Sequence, residues 1–395
     1  MHDGPAANDG DRRELLESTV ATVLRILERM GIANASENAV LAAPPFYDGS
    51  ILLETRGRFA QFNAQLAVQL RFVGYAFEEV ALLSVRELAE MYVRDSHPPL
   101  PGAPLANEQY HLDFGRPAPK QAGSARDFPI CFVLGSPRSG TTLLRAMLDM
   151  HTELWAPGEL HLANYETMAE RANRVAAVLR YMPIPEAATR CGEATADFAR
   201  RFRSWELEAT PVPEVFQHLH DSDPGVMIVD KSPPYCVQLE TLKRIGECFP
   251  RAKFVQLVRS PHDVIRSYVR MQLQRGDRRL FEPGLNPYQA AEAIWFACNS
   301  SSEAFLASLP SDRKCVVRYE ELTSAPAACL TTICQLLERE FQPGMADPYA
   351  RPGATVQGAG DLHIHLLESV ESREPIAPFY PLGSRCQELA ARYAY

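Results

Sequence analysis

The sequence lacks any apolar run long enough to cross a membrane. Its longest, such as PICFVL at 129–134, fall far short of the ~20 residues a spanning helix needs. Basic charge is not in excess: 40 Lys and Arg against 49 Asp and Glu leave a net charge of −9. That balance argues against general nucleic-acid or membrane-surface binding, while leaving room for a local basic groove. Among nine cysteines, at 131, 191, 236, 248, 298, 315, 329, 334 and 386, there is no Cys-x-x-Cys pair. An odd number of cysteines, several inside apolar runs, indicates reduced and mostly buried thiols in a cytosolic protein. The N-terminal MHDGPAANDGDRRELLE is polar and acidic and shows no hydrophobic signal segment. Internal repeats and low-complexity tracts are absent. Two His-x-His pairs, His218/His220 and His363/His365, have no cysteine beside them in sequence, and this spacing alone does not make a metal site. The expectation is a cytoplasmic, membrane-free protein without a metal.

What remains is a chain of 395 residues, 46% hydrophobic and 23% charged, enough for a large core or two domains. Residues 1–11 read as a disordered tail. From 12 to 96 apolar residues recur at helical spacing, as in RRELLESTVATVLRILERMG, and predict a small all-helical module. A stretch rich in Pro, Gly and Ala, 97–127, reads as a linker. The remainder, 128–395, alternates strand and helix. FPICFVL, GVMIVD, AKFVQLV and KCVVRY read as buried strands, separated by helical runs at 140–151, 236–248, 261–275 and 286–309, with another at 325–341. Such alternation predicts an α/β domain with a P-loop-like parallel sheet flanked by helices. Residues 183–224, interrupted by several prolines, read as irregular and as a possible flap.

The first strand runs into Gly135-Ser-Pro-Arg-Ser-Gly140-Thr-Thr and then a helix. This order presents backbone N–H groups and a positive helix end to a phosphate. The G-x-x-x-x-G spacing matches a P-loop, but Thr141-Thr142 stand where nucleotide triphosphatases have Lys-Ser/Thr. Lysine and Mg²⁺ serve the β- and γ-phosphates there, so a ligand with one phosphate at that end fits better. Arg138, Ser139, Gly140, Thr141 and Thr142 are the candidate donors, Arg138 offering a forked guanidinium. A second element, LVRSPHDVIRS, sets Arg259 at a strand's end and Ser267 two helical turns on. In open parallel sheets ligands bind outside the carboxyl ends of strands, so Arg259 and Ser267 are placed to hold a second phosphate. A nucleotide phosphorylated on both its 5′ and 3′ sides would satisfy both elements.

These two elements resemble the phosphosulfate loop and 3′-phosphate site of sulfotransferases that use 3′-phosphoadenosine 5′-phosphosulfate (PAPS). PRSGTTLLRAMLDMH followed by PGE is similar to the tyrosylprotein sulfotransferases. The wider set PGELHL, DKSPPY, LVRSPHDVIRS, NPYQAAEAIW and YEEL resembles the sulfotransferase domains of polyketide synthases of the curacin and olefin-synthase type. The likeness covers roughly 128–345 and thins beyond it, where VQGAGDLHIHLLE replaces the basic segment that closes over the nucleotide in many relatives. It implies the sulfotransferase fold, PAPS as sulfuryl donor and adenosine 3′,5′-bisphosphate (PAP) as product. The implied acceptor is a hydroxyl of a polyketide or nonribosomal-peptide intermediate, by the polyketide-synthase resemblance a β-hydroxyl of an acyl group, free or tethered to an assembly-line carrier protein. An amide nitrogen or a phenol is the alternative acceptor; a small-molecule kinase and a non-catalytic docking protein are remoter ones.

Sulfuryl transfer needs an in-line nucleophile, a base for its proton and positive groups where charge develops. Glu159 corresponds to the glutamate base of the tyrosylprotein relatives, and His161, with an intrinsic pKa nearer neutrality, is its rival. Lys231, after the second strand, is the implied donor to the bridging or sulfuryl oxygens, with Ser232 beside it. The helical module resembles a degenerate acyl or peptidyl carrier protein, with Ser50 in DGSILL at the phosphopantetheine position, although the usual residues around that serine are replaced. An ordinary helix N-cap accounts for Ser50 equally well.

Overall fold

A computed structural model describes residues 16–21, 23–25, 86, 106, 125–175, 181, 183–271, 285–349, 370, 372 and 374–395. The expected tail, Ser50, His363/His365 and nearly all of the helical module and linker lie outside the described residues. The chain divides into two compact units, Met1–Leu100 with Val269–Gly276 and Pro101–Tyr268 with Asp277–Tyr395. In the first, residues 16–21 and 23–25 are helical, with Thr19, Val20 and Val23 buried, and Arg86 pairs with Glu17 at 3.2 Å.

The second unit is built on five parallel strands. β1 (Ile130–Leu134) and β3 (Met227–Lys231) are buried at every position, and β4 (Lys253–Val258) at all but its first. Branched and aromatic residues without polar alternation can be accommodated only in a sheet covered on both faces. β2 (Leu154–Trp155) and β5 (Lys314–Arg318) form the edges, and the order is β2-β3-β1-β4-β5. Every pairing is parallel, with Val133 opposite Lys231 and Leu134 opposite Gln256. Successive side chains of β1 supply the two faces. Phe132 meets Phe216, Phe249 and Phe254 on one side, whereas Cys131 and Val133 join Leu144, Met147 and Ile333 on the other. From β1 the chain crosses to β2 and β3 on one side, then returns to place β4 and β5 on the other. The crevice this reversal opens, beyond the carboxyl ends of β1 and β4, is where such sheets hold ligands.

The helices that matter for the site are α1 (Thr141–Leu148), after β1, and α2 (Met168–Arg174). Between α2 and β3 lie α3 (Ile184–Arg190), α4 (Thr195–Leu207) and α5 (Val212–Asp221). These three helices correct the irregular reading of 183–224. Pro183 and Pro211 occupy helix N-cap positions, and Pro185 and Pro213 the first turns, where a missing N–H leaves no bond unmade. Beyond β3 come a 3₁₀ turn (Pro233–Val237), α6 (Leu239–Cys248), then β4 and α7 (Pro261–Met271). The long α8 (Pro287–Ala307) opens on a capping box between Asn286 and Gln289 and buries Trp295. α9 (Tyr319–Ser324) and α10 (Pro326–Leu336) follow β5, and α11 (Ser384–Arg392) lies near the C-terminus. Glu292 of α8, fully buried, anchors this last segment by accepting from Tyr380 Oη (2.9 Å) and Gly383 N (2.7 Å). All nine cysteines are free thiols, most of them buried.

Candidate active site

The loop between β1 and α1 is shaped by two glycines. A Cβ on Gly135 would stand 2.7 Å from Leu257 O, so only glycine lets β1 leave the sheet this close to β4. Gly140 adopts φ +92°, and a Cβ there would lie 2.3 Å from the ring of Tyr319. Ser136 and Ser139 share a 2.6 Å hydroxyl contact inside the loop, both fully buried. Gly140 O accepts the first bond of α1, from Leu144 N. The earlier amides of the helix have no intrahelical partner and point, with the positive end of the helix, out of the loop. Arg138 sits at φ +70°, a left-handed conformation uncommon for arginine.

That conformation carries the Arg138 side chain to the second element: Arg138 Nε donates to Ser267 Oγ at 3.0 Å. Arg259, at the end of β4, donates from Nη1 to Arg138 O (3.2 Å) and from Nη2 to Asp263 Oδ1 (3.3 Å). Its guanidinium lies over the Tyr319 ring, 4.3 Å from the centroid, and its main chain is fixed by Trp295 Nε1, which donates to Arg259 O at 3.0 Å. Arg259 Nε is buried without a hydrogen-bond partner, an arrangement that costs free energy unless an acceptor arrives. The loop and the Arg259/Ser267 element therefore converge, with Arg138 standing beside Ser267. Two arginines, an orphaned guanidinium nitrogen and a helix N-terminus together fit an anionic phosphorylated ligand. Tyr319 and Asp263 were not among the candidates. Tyr319 opens the YEEL run, whose spacing gave no hint of a ring beside Gly140.

On the other side of β1, Lys231 Nζ lies 2.5 Å from Glu159 Oε1 and 3.4 Å from Thr142 Oγ1. Lys231 is 2% exposed and Glu159 11%. Burial acts to raise the Glu159 carboxyl, but the Lys231 charge and His161 outweigh it and hold the group down at about 2. Burial pulls the Lys231 ammonium down, and the charge and hydrogen bond of Glu159 oppose that pull. His161 Nε2 lies 3.1 Å from Glu159 Oε2, without the alignment of a hydrogen bond. All three candidates thus meet at one point beside the first turn of α1.

The segment that carries Glu159 and His161 has no regular structure and is held by side chains. Arg145 Nη1 donates to Ala156 O (2.7 Å), Asp149 Oδ1 accepts from Ala156 N (3.0 Å), and Glu186 Oε2 accepts from Gly158 N (3.0 Å). Arg171, fully buried, donates to the carbonyls of Leu160 (3.0 Å) and His161 (2.9 Å). Ser232 Oγ accepts from His161 N at 3.1 Å, while Tyr235 Oη accepts from both Leu162 N and Ala163 N at 3.0 Å. His161 itself takes φ +49°. Apart from Ser232 these supports were not legible in the sequence: they are single contacts in a segment without a period, and the longest joins positions 73 residues apart.

The histidine pair His218/His220 lies away from this cluster. His220 stacks on Phe128 with 4.5 Å between centroids, and burial lowers the pKa of both histidines. The fold brings His218 within 4.8 Å of Cys191 and Glu193, a proximity the sequence did not reveal. Arg201, 3.2 Å from Glu193 Oε1, already engages the carboxylate that a cation would need.

The sequence pattern of the Sulfotransferase family matches residues 129–343. Among curated relatives, protein-tyrosine sulfotransferase 1 of Danio rerio is 25% identical over 220 residues, 54% of this chain and 54% of its own. The protein-tyrosine sulfotransferase of Drosophila melanogaster is 25% identical over 222 residues, 54% of this chain and 38% of its own. The chain thus spans about half the length, or less, of these curated relatives. Among solved structures, the sulfotransferase domain of the Synechococcus PCC 7002 olefin synthase aligns with TM-score 0.62 and 29% identity, covering 70% of this chain and 98% of that one. The sulfotransferase domain of the curacin biosynthetic pathway aligns with TM-score 0.61 and 29% identity, covering 69% and 99%. With a matching pattern over more than half its length and the same parallel-sheet fold, the chain belongs to the sulfotransferase family.

Proposed function

We propose that the protein transfers a sulfuryl group from PAPS to a hydroxyl of a polyketide or nonribosomal-peptide type intermediate, in the cytoplasm. The observation that carries the reading is the placement of Lys231, which lies within reach of both Glu159 and the first turn of the phosphate-loop helix. The loop has no lysine of its own, and an amine from β3 approaches Thr142 instead.

In this reading the loop residues Ser139, Gly140, Thr141 and Thr142 receive the 5′-phosphate, and Arg138, Arg259 and Ser267 the 3′-phosphate. PAPS, when bound, supplies a sulfuryl group on a phosphate leaving group. The chain's own residues do the rest. Lys231 and the α1 N-terminus neutralise charge that builds on the leaving oxygens. Glu159 accepts the proton of the acceptor hydroxyl at a carboxylate oxygen. Its held-down pKa makes it a weak base while it is paired with Lys231, since a base works best with a pKa near the working pH. A shift of Lys231 toward an anionic donor would loosen that pair and strengthen the base. His161, beside Oε2, is positioned to take part in passing the proton on.

Likeness to the sulfotransferase domains of the olefin synthase and of the curacin pathway supports an assembly-line acceptor, and the reading adopted for this chain is a β-hydroxyacyl group tethered to a carrier protein. The protein-tyrosine relatives keep a phenol in view, and an amide nitrogen is the third possibility. The domain division at 97–127 and a carrier-like module with phosphopantetheine on Ser50 belong to the same reading. Intact mass after treatment with a phosphopantetheinyl transferase tests Ser50. For the transfer itself, the protein is incubated with PAPS and a β-hydroxyacyl carrier protein. Formation of PAP with a gain of one SO₃ on the acceptor is expected. Turnover of Mg-ATP without use of PAPS would instead support a kinase, and binding without turnover a docking protein.

A further inference from the structure

Next to Lys231 on β3 stands a group for which the transfer has no direct use. Asp230 is fully buried. Its Oδ1 accepts from Ser232 Oγ at 3.0 Å and its Oδ2 from Tyr235 Oη at 2.6 Å. A hydroxyl carries a single proton. Both protons are spent on Asp230, so the lone pairs of both oxygens are left for the amides of His161, Leu162 and Ala163. The polarity of the whole relay is therefore set by one ionised carboxylate. Its far end is the left-handed turn at His161, a conformation that survives only where the surroundings over-determine it. Arg171 completes the turn from the opposite side through the carbonyls of Leu160 and His161.

We propose that Asp230 is a positioning residue: through Ser232 and Tyr235 it fixes the turn at 161–163 and so aims Glu159 and His161 at Lys231. This rests on the assignment of Glu159, His161 and Lys231 to the transfer. Neither Asp230 nor Tyr235 touches the phosphate-binding residues Arg138, Arg259 and Ser267. Their loss changes what happens to the acceptor's proton, not how the donor is held. Burial raises the Asp230 carboxyl to about 6 against the hydrogen bonds from Tyr235 and Ser232, with His161 and Lys231 the charged groups that favour ionisation. Protonation puts a hydrogen on one acceptor oxygen and breaks one arm of the relay.

The experiment compares wild type with Asp230→Asn, Tyr235→Phe, Ser232→Ala and Ser232→Thr. An asparagine presents one oxygen and one NH₂, so one hydroxyl loses its acceptor. Expected are a fall in kcat of about 100-fold for Asp230→Asn, the scale of a roughly 1 Å misplacement, and unchanged affinity for PAP. Ser232→Ala loses activity and Ser232→Thr, which keeps the hydroxyl, recovers it. The acid limb of the wild-type kcat profile near pH 6 flattens in Asp230→Asn. Hydrogen exchange of the amides 161–163, which needs no turnover, quickens in Asp230→Asn and Tyr235→Phe. Faster exchange with unchanged kcat overturns the proposal, as does loss of PAP affinity in step with kcat. If Asp230→Asn does not fold, the Ser232→Ala and Ser232→Thr pair decides. A wild type that never consumes PAPS refutes the functional assignment instead, and unchanged exchange at 161–163 in the variants then refutes the relay on its own.

Discussion

Lys231 and Glu159 form a buried ion pair, 2.5 Å from Nζ to Oε1, with Lys231 Nζ 3.4 Å from Thr142 Oγ1 in the first turn of the phosphate-loop helix. A buried pair is costly to break from one side, because the remaining charge has neither partner nor water. Lys231→Met should destabilise the fold by about 3 kcal/mol and abolish transfer. Denaturant melts and a PAP-release assay check the two parts separately. The double variant Lys231→Met with Glu159→Gln should regain much of the stability and none of the activity.

The pair also writes a pH dependence. The Glu159 carboxyl is held at about 2 in the folded protein, below its ordinary value of 4.5. The folded state therefore holds fewer protons than the unfolded one between those values. Stability from this group is fully present above about pH 4.5 and is lost as the pH falls toward 2. Subtracting the acid-denaturation curve of Glu159→Gln from that of wild type should isolate this loss. A difference that does not shrink with acid would contradict the buried-pair geometry.

Asp230 has the opposite sign. Its folded pKa, about 6, lies above the ordinary 3.8. Its contribution thus favours the folded state at low pH and is withdrawn as the pH rises through that window. Relative to wild type, Asp230→Asn should gain stability on passing from pH 4 to pH 7, read by urea midpoints at a series of pH values. Ionising Asp230 weakens the fold in the same range where the relay to His161 needs it ionised.

Gly140→Ala tests the donor side. The substitution puts a methyl group where the Tyr319 ring lies and forces alanine to φ +92°. Displacing that ring removes the surface on which Arg259 stacks. A penalty of about 1–3 kcal/mol is typical of such enforced backbone strain, and titration calorimetry should show PAP binding weakened at least about 10-fold.

Arg259→Lys separates charge from shape. Lysine keeps the positive charge but presents neither a planar fork nor a face to lay on Tyr319. The expected outcome is that Arg259→Lys loses most of the PAP affinity that Arg259→Ala loses. A lysine variant binding like wild type would mean that charge alone holds the ligand there.

How much of this was written in the sequence differs by element. β1, β3 and β4 were visible because strands covered on both faces carry long, largely apolar runs, and β5 because of its central valines, although it is an edge strand and only partly buried; helical periods separate them. β2 consists of Leu154 and Trp155 alone, too short for any period to register. Helices α3 to α5 were obscured by prolines that in the fold begin helices rather than break them. The site residues Arg138, Lys231 and Arg259 stood out because they follow or end visible strands, where sequence order and function coincide, and Glu159 because its PGE run resembles that of the tyrosylprotein sulfotransferases. Asp230, Tyr235, Arg171 and Tyr319 did not, since a buried hydroxyl or guanidinium gains its meaning from partners far along the chain.

The strand order separates two inheritances. The residues proposed to hold the nucleotide's phosphates hang from β1 and β4, braced by Tyr319 at the start of α9, while Glu159, His161 and Lys231 hang from β2 and β3 on the other side of β1. Under the proposed assignment, substitutions that reposition the Glu159–Ala163 segment should alter proton transfer while leaving the phosphate contacts of β1 and β4 in place.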